Sequence, residues 1–152
     1  MEREFRISAG AIVFDEDRLL LVRYASPSGT SYLVAPGGGV LIDEGTRHAA
    51  AREVLEETGL EILPGKILFV EDLLSQNHRI TKIWFLGSVS GGQLTTDTQE
   101  ALEEGITGVG WYLRGQLRNE VVFPRPLLSH DWSDFLCDDW QTQYLDLSVT
   151  DF

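Results

Sequence analysis

The sequence predicts an α/β/α sandwich, and three observations carry that expectation. Strand-like segments lie on both sides of one strong helix signal, a second amphipathic segment comes near the end, and no repeat, low-complexity run or linker-like shift divides the 152 residues. A chain of this length buries roughly 68–70% of its unfolded surface around one core, so a single domain over residues 1–152 is expected.

Phe5 to Phe14 is rich in Ile, Val, Ala and Phe, and Asp15-Glu16-Asp17 forms a polar turn. Arg18 to Tyr24 then returns through Leu19-Leu20-Leu21-Val22, which predicts a β-hairpin. Ala25 to Ser31 reads as a polar loop, and Tyr32 to Ala35 as a short strand. At Pro36-Gly37-Gly38-Gly39 the missing side chains permit positive φ and close backbone approach, so a tight turn is expected. Thr46 to Thr58 is the clearest helix, with strong helix formers throughout and Gly59 where a C-terminal cap belongs. Lys66 to Leu74, Arg79 to Val89 and Ile106 to Leu113 predict three more strands, with Gly91-Gly92 ending the second. From Pro126 to Trp140, Leu127, Leu128, His130, Trp132, Phe135 and Leu136 recur at spacings that fit an amphipathic helix.

Twelve basic against twenty-four acidic side chains give a net charge of −12, which repels a nucleic-acid backbone and argues against polymeric DNA or RNA as a partner. Solubility alone also explains that acidity. No apolar run approaches the ~18 residues of a membrane span, and Met1 to Phe5 lacks the features of a secretory signal. Cys137 is the only cysteine, so no internal disulfide forms, and its surroundings predict a buried or inert thiol. These readings together lead to an expectation of a cytoplasmic protein whose mature chain starts at Met1.

On the predicted helix, Glu53, Glu56 and Glu57 stand at i, i+3 and i+4 and share one face. Ala50, Ala51, Val54 and Leu55 form an apolar stripe that anchors the helix on a core, so the acidic face looks outward or into a cleft. Three carboxylates so placed are a ligand set for a hard cation such as Mg²⁺, which takes oxygen ligands and shares them with substrate phosphates. A solvated acidic face is the plain alternative for that pattern alone.

The surrounding residues narrow it. Gly38, five residues, Glu44, seven residues, then Arg52-Glu53-Val54-Leu55-Glu56-Glu57-Thr58-Gly59-Leu60 resembles, position for position, the Nudix box of the Nudix hydrolase superfamily, the MutT-like enzymes. The resemblance fixes nine positions across the 23 residues from Gly38 to Leu60 and extends to the order of strands, Gly-rich loop and helix. It implies a Nudix fold with a mixed β-sheet between helices. It also implies a Mg²⁺-dependent hydrolase, with Mn²⁺ as a substitute, that cleaves a diphosphate linkage by attack of water at phosphorus.

By that resemblance Glu56 and Glu57 are the principal metal ligands, Glu53 is a further ligand or the base that activates water, and the backbone at Gly38 approaches the metal. Arg52 then holds a glutamate by an ion pair, and Glu44 braces the loop near the helix start, where a carboxylate also suits the helix dipole. Members of the family often carry another glutamate just before a valine such as Val109, where this chain has Gly108. Glu100, Glu103 and Glu104 lie upstream in an expected loop, and Glu104 is the candidate to serve instead.

Arg6, Arg23, Arg79 and Lys82 are candidates for substrate phosphates, with surface charge as the alternative. Trp84, Trp111, Trp132 and Trp140 read as core or interface, and His48, His78 and His130 as structural. The expected substrate is a small nucleotide: ADP-ribose or another nucleotide sugar is slightly favoured, with a (d)NTP as the alternative. A homodimer through the segment around Trp132 and Trp140 also fits the family resemblance. The rival to an enzyme is a non-catalytic nucleotide-binding module, toward which Gly108 leans.

Overall fold

The computed structural model describes residues 2–25, 28–95 and 99–150. Its strands are β1 (Glu4–Asp15), β2 (Arg18–Ala25), β3 (Ser31–Val34), β4 (Gly37–Gly39), β5 (Leu60–Leu74), β6 (His78–Gly92), β7 (Ile106–Leu113), β8 (Val122–Phe123) and β9 (Gln143–Val149). The helices are α1 (Thr46–Thr58), α2 (Gln99–Glu103), α3 (Pro126–Ser129) and α4 (Trp132–Phe135). The strands join in the order β8-β3-β2-β1-β6-β5-β9, with β4 on β1 and β7 on β2. Pairs β1·β6, β3·β8 and β5·β9 are parallel and the others antiparallel, so the sheet is mixed as expected.

Both faces of this sheet are covered, which explains the unbroken apolar run in β2. Because side chains alternate across a strand, Ala11, Val13 and Leu20 pack with Val54 of α1, while Ile12, Leu19 and Leu21 pack with Leu127 and Phe135 on the other side. Ala49 and Ala50 bring α1 onto Ala9 and Phe85, and their small side chains let the helix come close to the strands. Gly59 ends α1 at φ 80° and donates its N–H to Leu55 O, so β5 starts at once with Leu60.

The differences from expectation have local causes. Leu55 is 44% exposed and does not belong to the buried stripe; five residues beyond Ala50, it is turned by roughly 140° from that face. Strand β5 starts six residues before Lys66, because Pro64-Gly65 falls at a bulge in its pairing with β6 and does not break it. Gly91 and Gly92 continue β6 opposite Glu61 and Leu60. Pro36 to Gly39 is no positive-φ turn: Gly37 to Gly39 form β4, and their φ values are not positive.

The segment from Pro126 to Trp140 is two single turns and not one helix, with His130 extended between them at φ −119°, ψ 153°. Ser129, His130 and Asp131 are weak helix formers, and the break lets Leu127, Phe135 and Trp140 each reach the same core. Phe135 lies 5.0 Å from Trp140 and 5.4 Å from Phe69 between ring centroids, both near-perpendicular. Trp132 and Trp140 donate their indole N–H groups to Leu127 O and Leu68 O and pack, partly buried, against the chain's own core. Cys137 is exposed, so of the two expectations for its thiol, buried or inert, burial fails.

Phe135→Ala is expected to cost about 3–5 kcal/mol by urea unfolding, whereas Leu136→Ala, one residue on and 53% exposed, is expected to change stability by less than about 0.5 kcal/mol.

Candidate active site

The chemistry-bearing face of α1 is organised by one guanidinium. Arg52 donates Nε to Glu44 Oε2 at 2.7 Å and Nη2 to Glu44 Oε1 at 2.9 Å, a two-pronged pair. Its Nη1 donates to Glu53 Oε1 at 3.0 Å and to Glu56 at 3.2 Å, and Nη2 also reaches Gly39 O at 2.9 Å. Glu44 in turn accepts the Leu41 N–H, which ties the loop before α1 to the helix. With the Arg52 hydrogen bond as the first cause, the Glu44 carboxyl is held down to about 2, and the Arg52 guanidinium is pushed above its ordinary value.

Burial decides the rest. Glu53 is 5% exposed and Glu57 fully buried. Glu57 accepts Tyr24 Oη–H at 2.6 Å and the Gly37 N–H at 2.7 Å. Glu53 Oε2 is buried without a hydrogen-bond partner among the described residues. An ionised oxygen left in that state is costly. Desolvation raises the pKa of both acids above the usual carboxylate range, with the charge of Glu104 adding to it.

Glu53, Glu57 and Glu104 each present a carboxylate oxygen within 4.8 Å of the other two. When ionised, three carboxylates this close repel one another, which either a proton or a cation between them relieves, and an all-oxygen set suits Mg²⁺ or Mn²⁺. The orphaned Glu53 oxygen and this donor set fit such an ion. Gly38 makes room for it: a Cβ there would fall 2.5 Å from Glu53 Cδ and 2.6 Å from its Oε2. Gly37 and Gly39 are confined in the same way by the Gly10 backbone and by the Arg6 guanidinium. The glycine run is therefore needed for space beside Glu53, Arg6 and β1, and not for an unusual φ.

The sequence-predicted residues separate accordingly. Arg52, Glu44, Glu53, Glu57 and Gly38 meet in one place, and Glu104 joins them. Its neighbours Glu100 and Glu103 lie in α2, a helix where a loop was expected. Ala101 seats α2 on Val22 and Ile106, and Gly105 turns the chain at φ 78°, which leaves Glu104 facing α1. Glu56 lies on Arg52 and outside the close trio.

A cleft of about 1060 Å³ adjoins the trio and includes Tyr24 and Glu104 in its wall. Aromatic residues Tyr24, Tyr32 and Phe123 line it, with the Tyr24 and Tyr32 rings stacked at 5.5 Å. Its cations are Lys82 and Arg125. Arg23 and Arg79 do not line it; they pair with Glu120 at 2.9 Å and with Asp72 at 3.2 Å. Arg6 lies over Gly39 at the edge of the glycine strand. The sequence reading missed Tyr24 of β2, Glu71 of β5 and Arg125 at the start of α3, which segments distant in sequence bring together.

A family model described as the NUDIX domain matches residues 4–130. The chain belongs to the Nudix family. Curated relatives include the 8-oxo-dGDP phosphatase NUDT18 of Danio rerio, 30% identical over 123 residues that make up 80% of this chain and 34% of that protein. The NUDT18 of Mus musculus is 34% identical over 119 residues, 77% of this chain and 33% of that protein. The chain thus spans about a third of the length of these relatives.

Among solved structures, a Nudix hydrolase of Nitrosomonas europaea superposes with a TM-score of 0.69 at 21% identity, covering 83% of this chain and 85% of that one. A MutT protein of Methanosarcina mazei Go1 gives 0.62 at 26% identity, covering 80% and 87%. An ADP-ribose pyrophosphatase of Streptococcus suis gives 0.67 at 20% identity, covering 92% and 98%. These likenesses place the Nudix fold; no helix among the described residues is long and apolar enough to cross a membrane.

Gly38→Ala pushes a methyl into the Glu53 carboxylate, so Mn²⁺ affinity by calorimetry is expected to fall at least about tenfold, within the range seen when a metal site's support is disturbed. An unchanged affinity would show that this Nudix site does not depend on that space. A second expectation concerns pH. Glu53 and Glu57 have folded pKa values above 4.5, so the unfolded chain binds fewer protons and metal-free stability falls as pH rises through and above 4.5. Glu44 and Asp72, both held down to about 2, have the opposite sign: their contribution is present above their ordinary values of 4.5 and 3.8 and is lost as pH falls toward 2. The metal-free melting temperature is thus expected to peak at mildly acidic pH, and Mg²⁺ to offset the decline on the alkaline side; a metal-free maximum at pH 8 would contradict this.

Proposed function

We propose that this domain hydrolyses the diphosphate linkage of a nucleoside diphosphate derivative, with Mg²⁺ as cofactor and Mn²⁺ as a substitute. The observation that supports the reading above all is the junction of the carboxylate trio with the aromatic cleft, since Glu104 belongs to both and Tyr24 joins Glu57 to the cleft wall. Glu53, Glu57 and Glu104 are the proposed ligands. Mg²⁺ held there supplies charge that neutralises the diphosphate and acidifies a water for attack at phosphorus.

Each residue's part follows from its surroundings. Arg52 fixes Glu53 through one oxygen and leaves the other directed at the site. Glu53, whose proton affinity is raised by burial, is either a ligand or the acceptor of the proton released by the attacking water. Tyr24 holds the Glu57 carboxylate in place from the cleft side. Lys82 lies within the fields of Glu57, Glu71 and Glu53 and is the cation placed to meet a phosphate entering between trio and cleft, with Arg125 farther along the wall. The aromatic wall suits the nucleoside end.

The names of the curated relatives favour a purine nucleoside diphosphate, and nucleotide sugars such as ADP-ribose remain in the same proposal because the diphosphate is common to both. The net charge of −12 disfavours a polynucleotide substrate.

Purified protein is to be incubated with nucleoside diphosphates, nucleotide sugars, dinucleotides and (d)NTPs in Mg²⁺, with phosphate-bearing products measured. Turnover of a diphosphate compound is expected, with kcat/KM lower by on the order of 10²-fold or more in Glu53→Gln and Glu57→Gln. Ligand-dependent rise in melting temperature without turnover in Mg²⁺ or Mn²⁺ would favour the non-catalytic binding module instead.

A further inference from the structure

Glu71 lies outside the carboxylate trio, yet it is only 9% exposed and lines the cleft. Strand pairing sets it opposite Lys82, with Trp84 two residues along on the same face of β6. The Trp84 indole donates to Glu71 Oε1 at 2.8 Å and is the only hydrogen-bond partner of this carboxylate among the described residues. Lys82 does not take up the remaining capacity: its ammonium lies over the Trp84 ring, 4.2 Å from the centroid.

A carboxylate offers about four acceptor positions on its two oxygens. One is used here, and the group lies in a wall that also carries the rings of Tyr24, Tyr32, Trp84 and Phe123. The remaining capacity is open to the cleft, since neither Glu71 oxygen is among the buried atoms without a partner, and a ligand's donors would replace solvent there. Burial also raises its affinity for a proton, opposed by the Trp84 N–H and by the charges of Lys82 and Arg125.

Resting on the nucleoside diphosphate reading above, we propose that Glu71 reads the base, its two oxygens accepting the adjacent N1–H and N2–H of a guanine-type ring. The other common bases match it less well. Adenine and cytosine set one amino donor beside a ring nitrogen whose lone pair faces the second oxygen, and uracil sets its one N–H between two carbonyls. Only the guanine edge has two neighbouring N–H groups that point the same way, the arrangement a carboxylate accepts in two-pronged fashion. Lys82, across the strand pair, keeps a cation near the carboxylate and favours its ionised form.

The test is binding of α,β-methylene-GDP and α,β-methylene-IDP, which resist cleavage at that linkage and differ only in the 2-amino group, by calorimetry with Mg²⁺. The wild-type protein is expected to bind the guanine analogue at least about tenfold more tightly. In Glu71→Gln the ratio is expected to fall to within about twofold, with the inosine analogue bound within about threefold of wild type. Trp84→Phe keeps an aromatic ring but deletes the anchoring N–H, and is expected to lower the ratio at least about threefold; it decides the matter should Glu71→Gln fail to fold by circular dichroism. No preference in the wild type, or an undiminished ratio in both variants, would overturn the assignment. The hydrolase reading is judged separately: base-selective binding with no turnover of any diphosphate compound in Mg²⁺ sinks that reading and keeps this one, whereas turnover of a diphosphate compound with no guanine preference in binding does the reverse.

Discussion

The site depends on the Arg52 guanidinium. Three of its four interactions are with carboxylates, and the fourth is with the Gly39 carbonyl on the strand beside the helix. Without it, Glu44, Glu53 and Glu56 would bring like charges together around a half-buried helix face with no fixed counter-charge. A planar donor with five N–H groups serves several acceptors at once, which a lysine's single ammonium does less well. Because the same side chain ties loop, strand and helix, the position of Glu53 depends on all three.

The arrangement is also deliberately incomplete as a folded structure. Arg52 satisfies one oxygen of Glu53 and leaves Oε2 buried and unpaired among the described residues, and Glu57 is fully buried with only neutral donors on it. Natural structures rarely keep such groups without a use, because each unsatisfied buried polar atom costs on the order of 1–3 kcal/mol. The protein thus carries local strain in its charges that a divalent cation would relieve. This links stability to function: the groups that weaken the metal-free fold are those that make the site bind.

How far the sequence alone reaches can be judged from particular residues. The acidic face of α1, its Gly59 cap and the Arg52–Glu44 spacing are local, so helical periodicity and a short motif are enough to find them. Glu104 was harder, since its place depends on α2 packing through Ala101 and on the turn at Gly105. Of the cleft beyond Glu104, only Lys82 was picked out, as a candidate for substrate phosphates. Tyr24, Tyr32, Glu71, Lys82 and Phe123 come from five different strands, joined by pairings such as β5·β6 and β3·β8 that no single-sequence pattern encodes. Of the two reasons that the glycine run suggested, positive φ fails, because its residues lie in a strand, and close approach holds, because a Cβ at each would collide with β1, Glu53 or Arg6.

An acidic protein that takes an anionic substrate must solve an electrostatic problem, and the distribution of its few cations shows how. Arg52 is committed to carboxylates, and Arg23 and Arg79 are paired with Glu120 and Asp72 away from the cleft. Lys82 and Arg125 are the cations in its wall, set against Glu71, Glu104 and Asp146 in the same wall. By charge alone, then, the metal-free cleft does not favour a diphosphate. A divalent cation between Glu53, Glu57 and Glu104 would cancel most of their charge and offer the phosphate oxygens a direct ligand position. Metal and substrate affinities are therefore coupled, and by linkage each tightens the other by the same factor. On the proposed reading the negative net charge, which at first reads only as solubility, becomes part of the selectivity: an anion without a chelated metal would be repelled, and one that shares the metal would be held.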